Sequence, residues 1–589
     1  MKKTLYSVLA LSAIFAFTSC DQSRLDIPQK GVTLIEDFYQ TDEDAEAALV
    51  AAYAQFATYV AGRGNAFIYT PIKMSLNNGG DDMYAAGSNY GDNSYSSDLN
   101  DYNYDSGCEV IKNFYGGIFQ SVYAANLVIE KFAEGTTDVQ KRCVAEARAL
   151  RAYDYFLLAA LWGTPPLVTK VITLRDLPTN CDLDPDYKFT NKDLMMWVAA
   201  EAEAAAEVLP ERESKADKDG AVKCTKGFAQ AVAGKAYIFA GEYAKAKTVL
   251  QKVIDSQKYD LVENFEENFH AEGDGNAEKV FEANIEFNAG LGAWAGINQR
   301  STWMEAEIWN WRTDHFVDGA VPQRVYSGGT DGWGGLGVPQ WFGDEFFANE
   351  GHSQRFDATF IRVDDAIYTM PYDNETLDNM SLDEKKASKS VGIKDVSWGL
   401  YGQSYWLPKK QLLKATDLAS YGNNVRMNNN VIMRYAEVLL LYAEACLQTN
   451  DAANAKIAIN AIQTRAGAPV SATVDMDVLK KEKSYELWLE GCRMLDIKRW
   501  GDTERIKNAG QGAPRLFDKL YRAPKASDEQ VTWLPGEDAN TGRFYTVMTH
   551  NAREVWGDKV GFKEGKNEYF PYPIDAINKN PNLKQNPGY

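Results

Sequence analysis

The sequence predicts a mainly α fold in which paired helices form a scaffold and an irregular, loop-rich part with short strands carries the ligand site. Three observations predict it. Apolar residues recur at spacings of three and four through much of the chain up to residue 256 and again beyond residue 431. Two stretches repeat one arrangement of small and large residues. Between them, from about residue 258 to 430, glycine, tryptophan and short β-like pieces replace the helical periodicity. With 589 residues, 45% hydrophobic and 24% charged, the chain has material for one very large core or several linked ones. Its 12% aromatic content, with 32 Tyr and 14 Trp, is rich for a globular protein.

Lys2 and Lys3, the apolar run Leu5 to Phe17, and the small Thr18 and Ser19 read as the three regions of a secretory signal, so residues 1–19 are expected to be removed. Cys20 then heads the mature chain, where lipoprotein processing places a diacylglycerol on the thiol and a further acyl chain on the freed amine. Two or more chains hold a protein on a bilayer stably. Phe17 stands where a leucine is usual. Residues 20–40 form the lipidated cysteine and its tether. No later run reaches the roughly 18 apolar residues of a spanning helix, which leaves the anchor as the membrane attachment. The net charge of −20 becomes about −22 without Lys2 and Lys3, and makes nucleic acid an unsuitable partner.

Thr41, followed by acids at 42–44, starts a helix that runs to about Tyr59. Residues 77–106 are crowded with Gly, Asn, Asp, Ser and Tyr and read as loop. Residues 113–162 are helical, with Leu150, Tyr153, Leu157 and Leu161 on one stripe, and stop at Gly163, Pro165 and Pro166. Helical text resumes at 191–209 and 225–256. In the latter, Gly234, Tyr237, Gly241, Ala246, Leu250 and Val253 fall at the offsets at which a tetratricopeptide helix pair places its small residues and knobs. Ala443, Cys446, Asn450, Ala455, Ile459 and Ile462 repeat the template. The last third is helical at 431–466 and 480–500, and ends in a tail rich in Pro and Asn.

Several blocks resemble the SusD/RagB family of outer-membrane nutrient-binding lipoproteins: Arg434 to Ala445 (RYAEVLLLYAEA), Asn460 to Gly467, Glu486 to Gly501 (ELWLEGCRMLDIKRWG), the closing QNPGY, and upstream Asp42 to Tyr53 and Ala145 to Val168. The resemblance implies about four tetratricopeptide-like helix pairs, no enzymatic activity, and a protein that binds a glycan at the cell surface as the lid of a SusC-like TonB-dependent transporter. It divides the mature chain into an N-terminal helical region, 41–257, and a C-terminal region, 258–589, that includes a Trp-rich insertion at about 288–430.

Sugars present flat C–H faces ringed by hydroxyls, so their sites need aromatic planes together with amides and carboxylates. Six Trp fall between residues 294 and 341 among glycines that no helix packing explains. Trp303, Trp309, Trp311 and Trp333 are the candidate stacking groups. Family members build their platform from two loops, which map onto about 77–105 and 290–345. The first supplies Tyr84 and Tyr90 to face the tryptophans, with Asn77, Asp82 and Asn89 as hydrogen-bonding groups. Glu486, Glu490 and Arg493, at i, i+4 and i+7, read instead as an internal ion network, as do Arg434 and Glu437, while Trp488 and Trp500 read as core.

Other chemistries find less support. Acids near the Trp cluster (Glu305, Glu307, Asp314, Asp344 and Glu345) could supply the carboxylate pair of a glycoside hydrolase, but 82 acids make such pairs a coincidence to expect. A tetratricopeptide scaffold for proteins and a binder of a non-glycan nutrient remain open alternatives. No cofactor motif is present, and the four His are dispersed. Asn78 to Asp82 and Asp92 to Asp101 offer oxygen ligands for a structural calcium ion, without EF-hand spacing. Cys108, Cys143, Cys181, Cys224, Cys446 and Cys492 lack CxxC pairing; six in an exported chain permit disulfides, and their apolar helical contexts favour buried thiols.

Overall fold

A computed structural model describes residues 38–60, 72–86, 94–284, 334–362, 406–410, 412, 414, 417, 428–507, 514–516, 549–551 and 561–589. Helix α1 (Asp42–Val60) opens as expected: Thr41 Oγ1 accepts the Asp44 N–H at 3.1 Å, and the Asp44 carboxylate accepts the Thr41 N–H at 2.9 Å. α2 (Ile72–Asn78), β1 (Tyr84–Ala85) and α3 (Ser94–Asn100) then occupy much of a segment expected to be loop. Its polar residues misled because they turn inward. Asn77, Asp82, Asn100 and Asp101 are all buried.

α4 (Glu109–Lys131) and α5 (Asp138–Trp162) share the stretch expected to be helical from 113 to 162, and the stripe Leu150, Tyr153, Leu157, Leu161 is buried. Gly163, at φ 77°, ends α5 ahead of Pro165 and Pro166. α6 (Asn191–Ala206) starts in a capping box between Thr190 and Asp193, and α7 (Lys226–Phe239) and α8 (Tyr243–Asp255) follow. β2 (Lys279–Ala283), β3 (Leu336–Gly337), α9 (Gln340–Glu350), α10 (Gln354–Thr359), β4 (Phe360–Arg362) and β5 (Trp406–Pro408) lie in the irregular region. β6 (Asn430–Arg434) leads into α11 (Tyr435–Gln448), α12 (Ala452–Ala466), α13 (Met476–Glu486), α14 (Arg493–Trp500) and α15 (Glu504–Lys507). β7 (Pro514–Leu516), β8 (Thr549–Asn551) and α16 (Ile574–Lys579) complete the described elements.

Helices adjacent in the chain pack in space, α4 on α1, then α5, α6, α7 and α8 in turn, and α8 packs on α11, which carries α12. The stack therefore passes over the expected boundary at 257/258. Lys235 pairs with Glu437 at 2.7 Å, and Lys247 with Asp451 at 2.5 Å across that seam. The repeat template is borne out in detail. A Cβ on Gly234 would lie 2.4 Å from two Leu250 side-chain atoms, so glycine alone admits the approach of α7 to α8. Ala246, Leu250 and Val253 are buried behind it, and Gly241, at φ 73°, makes the turn. In the second copy Ala443, Cys446, Ala455, Ile459 and Ile462 are fully buried, with Asn450 at φ 59° in the turn. Gly234→Val is expected to cost about 1–3 kcal/mol through overpacking, measured as a lower urea midpoint.

The strands make two-stranded antiparallel pairs: β1 with β3, β2 with β6, β4 with β5, and β7 with β8. The C-terminal tail clasps the end of α5. Trp162 Nε1 donates to the Pro571 carbonyl at 3.0 Å, and the Trp162 carbonyl accepts from Tyr572 and Asn586, each at 3.1 Å. The six described cysteines are free thiols.

Asp154 sits wholly buried in this core, accepting the Tyr59 hydroxyl at 2.6 Å while Oδ2 has no hydrogen-bond partner. Burial pushes its carboxyl up to about 7, against the pull of the Tyr59 bond. The native state therefore favours the protonated form, and stability is lost as pH rises from the ordinary carboxylate range through about 7. Asp154→Asn removes that ionisation. It is expected to leave stability near pH 4 little changed and to raise it at pH 8 by roughly 1–3 kcal/mol, checked by urea titrations at both pH values.

Candidate functional site

The β1–β3 ladder joins the two segments that the sequence singles out as the sides of a ligand platform. Tyr84 pairs with Gly337 and Ala85 with Leu336, and the Ala86 N–H donates to the Gly335 carbonyl at 2.9 Å. One segment leaves the ladder toward residues 87–93, and the other arrives from the Trp-rich stretch ending at Trp333. Gly337 is required opposite Tyr84, because a Cβ there would fall 2.2 Å from the phenol ring.

Of the candidate site residues, the lipidation site Cys20 and the ligand-contact candidates Asn89, Tyr90, Trp303, Trp309, Trp311 and Trp333 lie outside the described residues. The three that are described face inward. Tyr84 is 4% exposed, and Asn77 and Asp82 are each 2% exposed. Asn77 Oδ1 accepts the Gly491 N–H at 2.8 Å, and the Asp82 carbonyl accepts Trp488 Nε1 at 3.0 Å. These residues fasten the base of the loop and have no face free for a sugar. Burial, aided by the neighbouring Asp81, pushes the Asp82 carboxyl up to about 7 even though Arg493 opposes it.

Beside this base lies a described constellation of Trp341, Asp81 and Arg505, of which only Arg505 falls outside the segments the sequence singles out. Trp341, on the first turn of α9, is half-buried, with the Arg505 guanidinium 4.0 Å from its ring centroid. Arg505 reaches within 3.7 Å of Asp81, which also receives a forked pair of bonds from Arg493 at 2.7 and 3.0 Å. The indole and guanidinium are groups that sugar recognition uses, while the Asp81 carboxylate, 5% exposed, is taken up by the arginines. Trp341 belongs to the sequence's Trp cluster; Arg505 carries no local signal, since its partners come from α9 and from the turn before β1.

The expected ion network exists, with a different route. α13 ends at Glu486 and α14 restarts at Arg493, because Leu489 at φ 61° and Gly491 at φ 76° break the helix. Arg493 consequently points to Asp81 and not along a shared helical face. Glu486 instead meets Arg434 at 3.0 Å, Arg355 at 2.9 Å, and Arg465. Glu490 takes Arg434 Nε at 2.8 Å and Lys410 at 2.9 Å. Against burial that would raise it, Arg465, Arg434 and Arg355 hold the Glu486 carboxyl at about 2. Burial lowers Lys410 to about 8. Glu486, Arg434 and Arg355 are all closed to solvent, so the cluster serves the fold. Trp488 is core, as expected, whereas Trp500 is only half-buried and donates to Glu444 at 3.1 Å.

Asp344 and Glu345 are consecutive on α9 and diverge around the helix, and Asp344 accepts Trp406 Nε1 at 2.9 Å. Among the described residues no group of three or more His, Cys, Asp or Glu side chains is placed to hold a metal ion, and no helix is long and apolar enough to cross a membrane.

Residues 305–589 match the model of the SusD family, and residues 32–238 match a model described as starch-binding associating with outer membrane. A SusD-like protein of Bacteroides ovatus is 22% identical, the alignment covering 98% of this chain and 97% of that one. The SusD-like protein P38 of Formosa agariphila is 23% identical over 88% of this chain and 96% of its own. Among solved structures, a laminarin-binding SusD-like protein superposes with a TM-score of 0.65 at 21% identity, covering 94% of this chain and all of that one. The surface glycan-binding protein A of Bacteroides thetaiotaomicron, in complex with laminarihexaose, gives 0.65 at 19% identity over 93% of this chain and all of its own. At these identities the structural likeness establishes the fold.

Proposed function

The chain belongs to the SusD/RagB family, and from that premise we propose that it is a non-catalytic, lipid-anchored glycan-binding protein of the outer membrane, which captures an oligo- or polysaccharide and delivers it to a SusC-like TonB-dependent transporter. The observation that carries this reading is the β1–β3 ladder, which ties together the two segments named from sequence as the platform, next to the Trp341–Arg505 stack. Trp303, Trp309, Trp311 and Trp333, with Tyr90 and Asn89, supply the sugar contacts in this reading. Tyr84, Asn77 and Asp82 secure the described ladder between the two segments, and Cys20 carries the anchor.

Relatives that bind laminarin and laminarihexaose support a glycan ligand and make laminarihexaose the first probe to try. The test is calorimetry and a carbohydrate array on the chain from residue 21, assayed in parallel for release of reducing ends. Binding without release supports the proposal, release overturns its non-catalytic part, and silence on both favours a protein scaffold or a non-glycan nutrient. Trp341→Ala is expected to weaken glycan binding by about fivefold, roughly 1 kcal/mol, in the same calorimetry.

A further inference from the structure

A second concavity lies away from the β1–β3 ladder in the fold. Its volume is about 630 Å³, and its walls are α1, the connection between α6 and α7, and the end of β2. Val50, 62% exposed, and the half-buried Tyr53 and Val222 give it an accessible apolar side. Seven carboxylates and two cations line it. Arg142 is taken up by Glu46 at 2.7 Å and Glu146 at 2.5 Å, and Asp217 by the N–H groups of Glu213 and Gly220. At the floor Glu282 is fully buried, with Lys279 3.2 Å from Oε1, yet that oxygen accepts no hydrogen bond. Among the described residues, the rim carboxylates of Glu211, Glu213 and Asp219 have no ion-pair partner, and the only cation left unpaired there is Lys223.

We infer that this cleft docks a basic peptide segment, whose lysine or arginine stems lie along Val50, Tyr53 and Val222 while their charged heads meet Glu211, Glu213 and Asp219. The commitment to a basic occupant rests on charge complementarity. An apolar wall under an unneutralised acidic rim suits a long side chain that carries its cation at the tip, and a chain of net charge −20 attracts that cation from a distance. An anionic sugar or nucleotide would meet the rim with like charge. The inference is independent of the glycan reading, because none of the lining residues belongs to the β1–β3 base or the Trp cluster.

The test is calorimetry of the chain from residue 21 with a blocked hexapeptide of alternating arginine and leucine, and with its citrulline counterpart, which keeps the shape without the charge. The expected result is binding of the arginine peptide alone, weakened about tenfold or more in Glu211→Gln/Glu213→Gln/Asp219→Asn and severalfold by the uncharged wall variant Val50→Ser. Asp182→Asn/Asp184→Asn/Asp186→Asn removes an equal charge elsewhere and is expected to leave binding within about twofold of wild type. Equal binding of the citrulline peptide, no loss in the rim variant, or an equal loss in the 182–186 variant would overturn the proposal, the last by showing diffuse attraction only.

Discussion

Replacement of Arg434 by methionine is expected to destabilise the protein by about 3–5 kcal/mol, the largest single effect foreseen for the scaffold. Arg434 is 1% exposed and joins Glu278, Glu486 and Glu490, besides donating to the Glu486 carbonyl at 3.1 Å. Methionine fills a similar volume but leaves those carboxylates in a closed space with fewer cations. The pH dependence follows from the same arrangement. Glu486 is held at about 2, and Glu490, desolvated but beside Arg434 and Lys410, is also held well below the usual carboxylate range. Depressed folded values mean that this stabilisation is fully present above the ordinary glutamate value, and is lost as pH falls from there toward about 2. Without Arg434 both folded values move back toward the ordinary one, so less stability is lost on acidification and the deficit against wild type should be smaller at pH 4 than at pH 7. Urea midpoints at pH 7 and pH 4 test this, and a midpoint at pH 7 equal to wild type would remove the network from the stability argument.

Simultaneous alanine at Trp309, Trp311 and Trp333 is expected to lower glycan affinity about a hundredfold, near 3 kcal/mol, if each ring contributes about 1 kcal/mol of stacking. Thermal unfolding is measured alongside and is expected to change little, so that lost affinity is read apart from a lost fold. Calorimetry with whichever oligosaccharide the array identifies measures the first quantity. Unchanged affinity would place the platform elsewhere, with Trp341 and Arg505 the next residues to test.

The helix pairs were legible because their signal is local. Gly234 and Leu250 are sixteen residues apart in sequence and meet across one turn, so a fixed spacing records the contact. The break between α13 and α14 was not legible. Residues 480–500 keep helical periodicity, and the break is fixed by distant partners: the Gly491 N–H donates to Asn77, and Lys410 Nζ donates to the Glu486 and Trp488 carbonyls at 3.1 and 2.7 Å. The strand Asn430–Arg434 was missed for the same reason, since its partner β2 lies some 150 residues earlier. At the site, the two segments named from sequence pair at β1 and β3, whereas Asn77, Asp82 and Tyr84, expected to face a ligand, face inward. Polar and aromatic residues in a loop-like composition look alike whether they face water or a buried base.

The pairing of β2 with β6 has a consequence for how this architecture can vary. Lys279 stands opposite Arg434 and Ala283 opposite Asn430, so the long intervening stretch leaves and re-enters the helix stack at adjacent points, as a closed ring hung from a short stem. Ring closure costs only about 0.6 kcal/mol more for each doubling of length, so changes of length are cheap in chain entropy, whereas Arg355 and Lys410, which lie inside the stretch and pair with Glu486 and Glu490, tie it to the scaffold. The stem thus acts as a socket, in which the stretch can vary in length and composition as long as Arg355 and Lys410 still reach Glu486 and Glu490.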